Sequence, residues 1–96
     1  MDTLDPALAP FLDADRRLKA WPRRQRLQIA ALQAIAEELE ARRRYSEVEV
    51  NEVIGNCHSF GDATRIRRAL VDWGFVGRER DGSRYWLITT APPDVG

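Results

Sequence analysis

Apolar residues recur every three or four positions over the first three quarters of this chain, and after Gly74 the spacing shifts to short extended runs. From residue 22 to 43, PRRQRLQIAALQAIAEELEARR places Ile29, Leu32, Ile35 and Leu39 on one face, which predicts a long helix with Pro22 in its first turn. Ser46 and Glu49 form an S-x-x-E capping box ahead of Val50, Val53, Ile54 and Cys57, with Tyr45 placed as a staple, so a second helix starts there. Asp62 is a suitable N-cap for a third, on which Ile66, Leu70 and Trp73 share the inward face and Gly74 supplies the left-handed end. Phe75 and Val76, then Tyr85 to Ile88, read as two strands separated by Asp81-Gly82, a pair favoured in tight hairpins.

Helix, short extended link, helix, helix, hairpin is the order of a winged helix-turn-helix. The expected fold is therefore α+β, three main helices followed by a two-stranded β-hairpin wing, with the third helix placed to enter a groove. Ninety-six residues suffice for one domain and no more. The expected boundaries are an acidic, loosely ordered arm over 1–10, the domain over 11–90 and a flexible tail over 91–96, where Pro92 and Pro93 stand.

Charge narrows the function classes. Fifteen basic and 15 acidic residues cancel, so a sequence-blind polyanion coat is excluded and any polyanion site must be local. One cysteine, Cys57, allows no internal disulfide, which sets the cytoplasm as the default compartment. The start of the chain carries acids where a signal peptide carries bases, and no apolar run is long enough to span a bilayer, so a membrane partner is not expected.

The strings RRYSEVEVNEVI, HSFGDATRIRRALVDWGFVGR and DGSRYW, preceded by FLDADRRLKAWPRRQR, resemble the bacterial domain-of-unknown-function family 2087 over roughly residues 11 to 87. Where that family commonly has an Asp-Gly turn, this chain has Asp15-Arg16. The resemblance implies a winged-helix-like domain, found alone or fused behind the helix-turn-helix module of transcriptional regulators. It implies regulation without assigning a ligand, an operator or a chemistry.

Three groups of residues are candidates for contact with nucleic acid. On helix three, Thr64, Arg65 and Arg68 face outward in the first two turns, where a recognition helix meets phosphates and base edges. The alternative is a solvated face, with Arg67 or Arg68 paired to Glu47, Glu49 or Glu52 of helix two. On the wing, Arg80 and Arg84 offer phosphate contacts beside Arg78, although Glu79 and Asp81 leave residues 78 to 84 at a net charge of +1. The densest run is Arg16, Arg17, Lys19, Arg23, Arg24 and Arg26, six bases without an acid over residues 16 to 26; of these Arg23, Arg24 and Arg26 stand at the helix start. The acids of residues 1 to 15 are expected to attract that run. Arg42, Arg43 and Arg44 read instead as an ion-pair patch at the end of helix one.

Catalysis is not expected. Cys57 and His58 are adjacent and alone, too few for a zinc site and poorly placed for a nucleophile pair; no Gly-rich phosphate loop or catalytic triad is present, and no cofactor or metal is expected. Cys57 is expected in the core and His58 in a hydrogen bond that ties the turn between helices two and three. The expected function is binding of duplex nucleic acid, DNA first and RNA as a variant, as a transcriptional regulator or accessory regulatory domain. The competing reading is a winged-helix module that binds a protein, a homodimer included.

Overall fold

The computed structural model describes residues 6–88. A 3-10 helix, Pro6–Phe11, is followed by α1 (Gln25–Ala36), β1 (Arg44–Tyr45), α2 (Glu47–Gly55), α3 (Ala63–Asp72), β2 (Val76–Arg78) and β3 (Tyr85–Leu87). The architecture is α+β and winged-helix-like, with three α-helices packed against a small antiparallel sheet. The expectations for residues 1–5 and 89–96, the arm acids Asp2 and Asp5 and the C-terminal tail among them, lie outside the described residues.

The helix starts at α2 and α3 follow the sequence. Ser46 Oγ accepts from the Glu49 N–H at 3.1 Å while Glu49 Oε1 accepts from the Ser46 N–H at 2.8 Å, the reciprocal capping box. Asp62 accepts from the Arg65 N–H at the start of α3. Tyr45 is buried with Val50 and Ile54 in one cluster.

Three expectations need correction. First, α1 spans 12 residues rather than the whole of 22–43. Pro22 lies before it, buried, and its carbonyl accepts from Gln28 Nε2 at 2.8 Å. At the other end Glu38 and Leu39 donate to carbonyls three residues back, and the next N–H, that of Glu40, goes to the Tyr45 hydroxyl at 2.8 Å. A tertiary acceptor thus takes the donor that another helical turn would have used. Arg42 then adopts a φ of 66° and reverses the chain, so Arg42, Arg43 and Arg44 lead into a strand and do not sit at a helix terminus.

Second, Trp73 is 44% exposed rather than in the core. It is the C-cap of α3, and Gly74 at φ 79° turns the chain back. The Phe75 N–H donates to the Leu70 carbonyl and the Gly74 N–H to Val71, a Schellman end that brings Phe75 against the core in the place the helical wheel gave to Trp73.

Third, the sheet has three strands in the order β1-β3-β2. Arg44 and Tyr45 pair with Trp86 and Tyr85, a strand of two residues that carries no period of its own. The hairpin connection is also longer than the Asp81-Gly82 pair alone. Glu79 donates to the Arg84 carbonyl, Gly82 donates to the Glu79 carbonyl, and Ser83 N–H donates to Asp81 Oδ1 at 2.9 Å. Gly77 lies under the Trp86 ring, where a Cβ would come within 2.5 Å of it.

The core is a single cluster that includes Leu27, Leu32, Ile35, Val50, Ile54, Ile66, Leu70, Val76 and Tyr85. Leu8 of the 3-10 helix, 1% exposed, belongs to it, so residues 6 to 10 are built into the domain rather than into a loose arm. Leu18 is the joint. Its N–H donates to the Cys57 carbonyl and its carbonyl accepts from the Ser59 N–H, both at 2.8 Å, which ties the leading segment to the turn between α2 and α3.

Candidate nucleic-acid interface

The turn that aims α3 is held by His58. Its ring is buried; Nδ1 lies 2.7 Å from the Ile54 carbonyl and Nε2 accepts from the Asp62 N–H at 2.9 Å. An acceptor role at Nε2 requires Nδ1 to carry the proton, so the imidazole spans the turn in its neutral form. Phe60 packs edge-on against it at 4.7 Å between centroids. Cys57, beside it, is only partly buried, and burial with the Glu38 charge behind it pushes its thiol up to about 11. The thiol is therefore protonated near neutral pH and is a poor nucleophile. Among the described residues, no group of three or more His, Cys, Asp or Glu side chains is placed to hold a metal ion.

On α3, Ile66 and Leu70 are fully buried, which directs Thr64, Arg65 and Arg68 to the surface as expected. The tertiary structure separates them. Thr64 and Arg68 line a groove of about 420 Å³ with Arg67, Val71 and Asp72, closed on its far side by Arg78 of β2 and Tyr85 of β3. Arg65 is not part of that lining and stands at the outer edge of the helix face.

Arg67 and Arg78, weighed from sequence as an ion-pair partner and a hairpin base, are brought by the structure into the groove lining. Arg67 is 17% exposed at its side chain, donates to Asn51 Oδ1 at 2.6 Å and sits 4.0 Å from Glu47, so it fastens α3 to α2 while adding its charge to the groove wall. That is the ion pair to helix two anticipated for Arg67 or Arg68. Arg78 was legible in principle: with Val76 buried, the two-residue period of a strand puts Arg78 on the same, helix-facing side.

Arg80 and Arg84 stand in the exposed hairpin connection, outside the groove. Arg84 donates to the Ser83 carbonyl at 2.9 Å, and Asp81 between them is held below the usual carboxylate range, chiefly by the Ser83 hydroxyl. Glu79 is turned away from this group, because Arg44 of β1 pairs with it at 3.4 Å and also lies over the Trp86 ring. Of the two acids that dilute the wing, Glu79 thus has a partner in the sheet, and Asp81 stays with the hairpin tip.

Within the basic run of residues 16 to 26, Arg16 and Arg17 border two different depressions. Asp13 accepts from the N–H groups of Asp15 and Arg17, and Arg16 takes a φ of 63° in that turn, the left-handed geometry that glycine adopts freely. Arg17 is paired with Asp13 at 3.4 Å and Asp15 at 3.7 Å, and it borders an open depression with His58, Gly61 and Ala63 at the start of α3. Asp13 is held below the usual carboxylate range, first by the Arg17 backbone N–H. The expected attraction between the acidic stretch and the basic run thus exists at these two acids. Arg23, Arg24 and Arg26 are exposed around the start of α1, where Arg24 is an N-cap without a side-chain bond. They are not among the residues that line the α3 groove.

A family model described as "Uncharacterized protein conserved in bacteria (DUF2087)" matches residues 17–87. The chain belongs to that family. The matched span begins at Arg17, after the 3-10 helix, and ends at the last residue of β3, so DUF2087 covers the Leu18 joint, the His58 turn and the whole of the groove. Comparisons with curated proteins and with solved structures give no match. Among the described residues no helix is long and apolar enough to cross a membrane.

Proposed function

We propose that this chain binds duplex nucleic acid, DNA in the first place, and acts as a transcriptional regulator or an accessory domain of one. The observation that carries the reading is the groove between α3 and the hairpin, where Arg67, Arg68 and Arg78 face one acid, Asp72, with the Thr64 hydroxyl at the rim. Guanidinium groups that converge from a helix and a hairpin suit a phosphate backbone, and a helix of 10 residues exposed along Thr64 and Arg68 has the length to lie in a major groove. Arg80 and Arg84, exposed at the hairpin tip, add phosphate contacts in this reading. Such a regulator works in the cytoplasm, and an unpaired Cys57 is compatible with that compartment. No catalytic role is proposed.

The test is binding of the full chain to random duplex DNA, duplex RNA and single strands across a salt series. Duplex DNA is expected to bind best, with the logarithm of affinity falling by about 3 per tenfold rise in salt, as suits three or four phosphate contacts. Absence of saturable duplex binding at low salt would overturn the reading.

One observation favours a second reading, that of a protein-binding module. Trp73 and Val48 are large apolar side chains exposed at 44% and 67%, and the chain has no net charge. Concentration-dependent self-association that Trp73→Ser abolishes would support that reading, with the homodimer as its simplest case.

A further inference from the structure

A second cavity shares no lining residue with the groove beside α3, and it has the composition of a ligand site. Its volume is about 320 Å³. The walls are Leu8 of the 3-10 helix, Leu12 and Leu18 of the leading segment, Ala34 and Ile35 of α1, and Val53 of α2. Polar groups stand only at the rim: Asp15, Arg16, Glu38 and Asn56.

Backbone hydrogen bonds hold these walls in place. Leu18 is bonded to Cys57 and Ser59, Lys19 donates to the Phe11 carbonyl at 2.8 Å, and Asp13 donates to the Arg17 carbonyl at 2.8 Å. These main-chain bonds fix the leading segment against the turn that follows α2, beside the packing of Leu8 and Leu18 in the core. A preformed apolar cavity of this size with few polar groups at its mouth fits a small organic molecule.

The rim sets the charge of that molecule. Asp15, Glu38 and Asn56 share the rim with one guanidinium, that of Arg16, and among these groups Glu38 is the charge that acts on the Cys57 thiol in the wall. The Cys57 thiol in the wall registers the same field: burial first, and then the Glu38 charge, disfavour its anion. An anion entering the cavity meets the same two penalties, whereas a cation at the mouth meets an attraction.

We infer that the cavity between the 3-10 helix, α1 and α2 is a binding site for a compact, largely apolar molecule that ends in an ammonium group, its body against Leu8, Leu12 and Ile35 and its charge at Glu38. The site does not depend on the nucleic-acid reading. It predicts affinity for a ligand of about ten non-hydrogen atoms on the order of 0.1–1 mM.

The experiment is a methyl-detected NMR titration of the full chain with phenylpropylamine, phenylpropanol and phenylpropanoate, three probes with one body and different ends. The methyl signals of Leu8, Leu12, Ile35 and Val53 are expected to shift with the amine, with the alcohol several-fold weaker and the carboxylate at least tenfold weaker. Glu38→Gln, an exposed change that leaves the core intact, should bring the amine down to the affinity of the alcohol. Ala34→Leu should abolish binding of all three by filling the cavity. Unmoved methyl signals at millimolar amine, or a carboxylate that binds as well as the amine, would overturn the inference.

Discussion

The stretch from Arg16 to Arg26 holds six bases and no acid, while the groove between α3 and the hairpin is lined by three arginines and an aspartate. By count the first region is the stronger candidate for an anion; by convergence of side chains the second is. In the first, Arg17 is shared between Asp13 and Asp15, and Arg23, Arg24 and Arg26 belong to the start of a different element. In the second, a helix and the strand that follows it place their guanidinium groups around one volume, and the nearby Glu79 pairs with Arg44. Linear charge density measures what a segment could offer to an anion, and convergence decides what reaches it.

The largest effect is expected at the joint between the two regions. His58→Ala leaves the Asp62 N–H and the Ile54 carbonyl without their imidazole partner, and urea denaturation should show a loss of roughly 2–4 kcal/mol from two buried hydrogen bonds. A loss below about 1 kcal/mol would mean that the turn is held without the imidazole.

Next in size is the contrast itself. Arg68→Ala with Arg78→Ala should weaken duplex DNA binding at least tenfold, about 1.4 kcal/mol, and reduce the salt slope by about 2. Arg23→Ala with Arg24→Ala should weaken it by no more than about threefold. Equal losses from the two pairs in titrations at matched salt would erase the distinction drawn between the regions.

A smaller effect sharpens the view of the leading segment as a folded turn rather than a charged face. Arg16→Gly relieves a left-handed backbone and should raise stability by about 0.5–1 kcal/mol, read from the denaturation midpoint. At the C-terminus of α3, Trp73→Ala should cost less than about 1 kcal/mol, in contrast to the ~3–5 kcal/mol of a buried tryptophan.

The smallest effect concerns acid. Glu49 is held below the usual carboxylate range, first by the Ser46 backbone N–H and further by Arg43, 3.4 Å away. A carboxyl depressed in the folded state contributes stability above its unfolded pKa of about 4.3, and that contribution is lost as pH falls through the folded value. The melting temperature of Glu49→Gln should therefore lie slightly below that of the parent at pH 7, and the gap should close below about pH 4. A constant gap down to pH 2 would assign the effect to the shape of the cap rather than to its charge.

Local chemistry determined much of the molecule from sequence alone. The capping box at Ser46, the cap at Asp62, the left-handed Gly74 and the turn tie at His58 each involve partners at most four residues apart or a conformation only glycine adopts readily, so the fold class and the two helices of the helix-turn-helix were legible. Three features were decided only by tertiary partners. Tyr45, by taking the Glu40 N–H and pairing with Tyr85, ended α1 early and created β1. Phe75 packs against the core while Trp73 stays at the surface, although the helical wheel gives both Trp73 and Leu70 the same face. The candidate site itself joins Thr64 and Arg68 to Arg78 and excludes Arg65, because which arginines meet depends on how the hairpin crosses α3, and no periodicity within either segment encodes that angle.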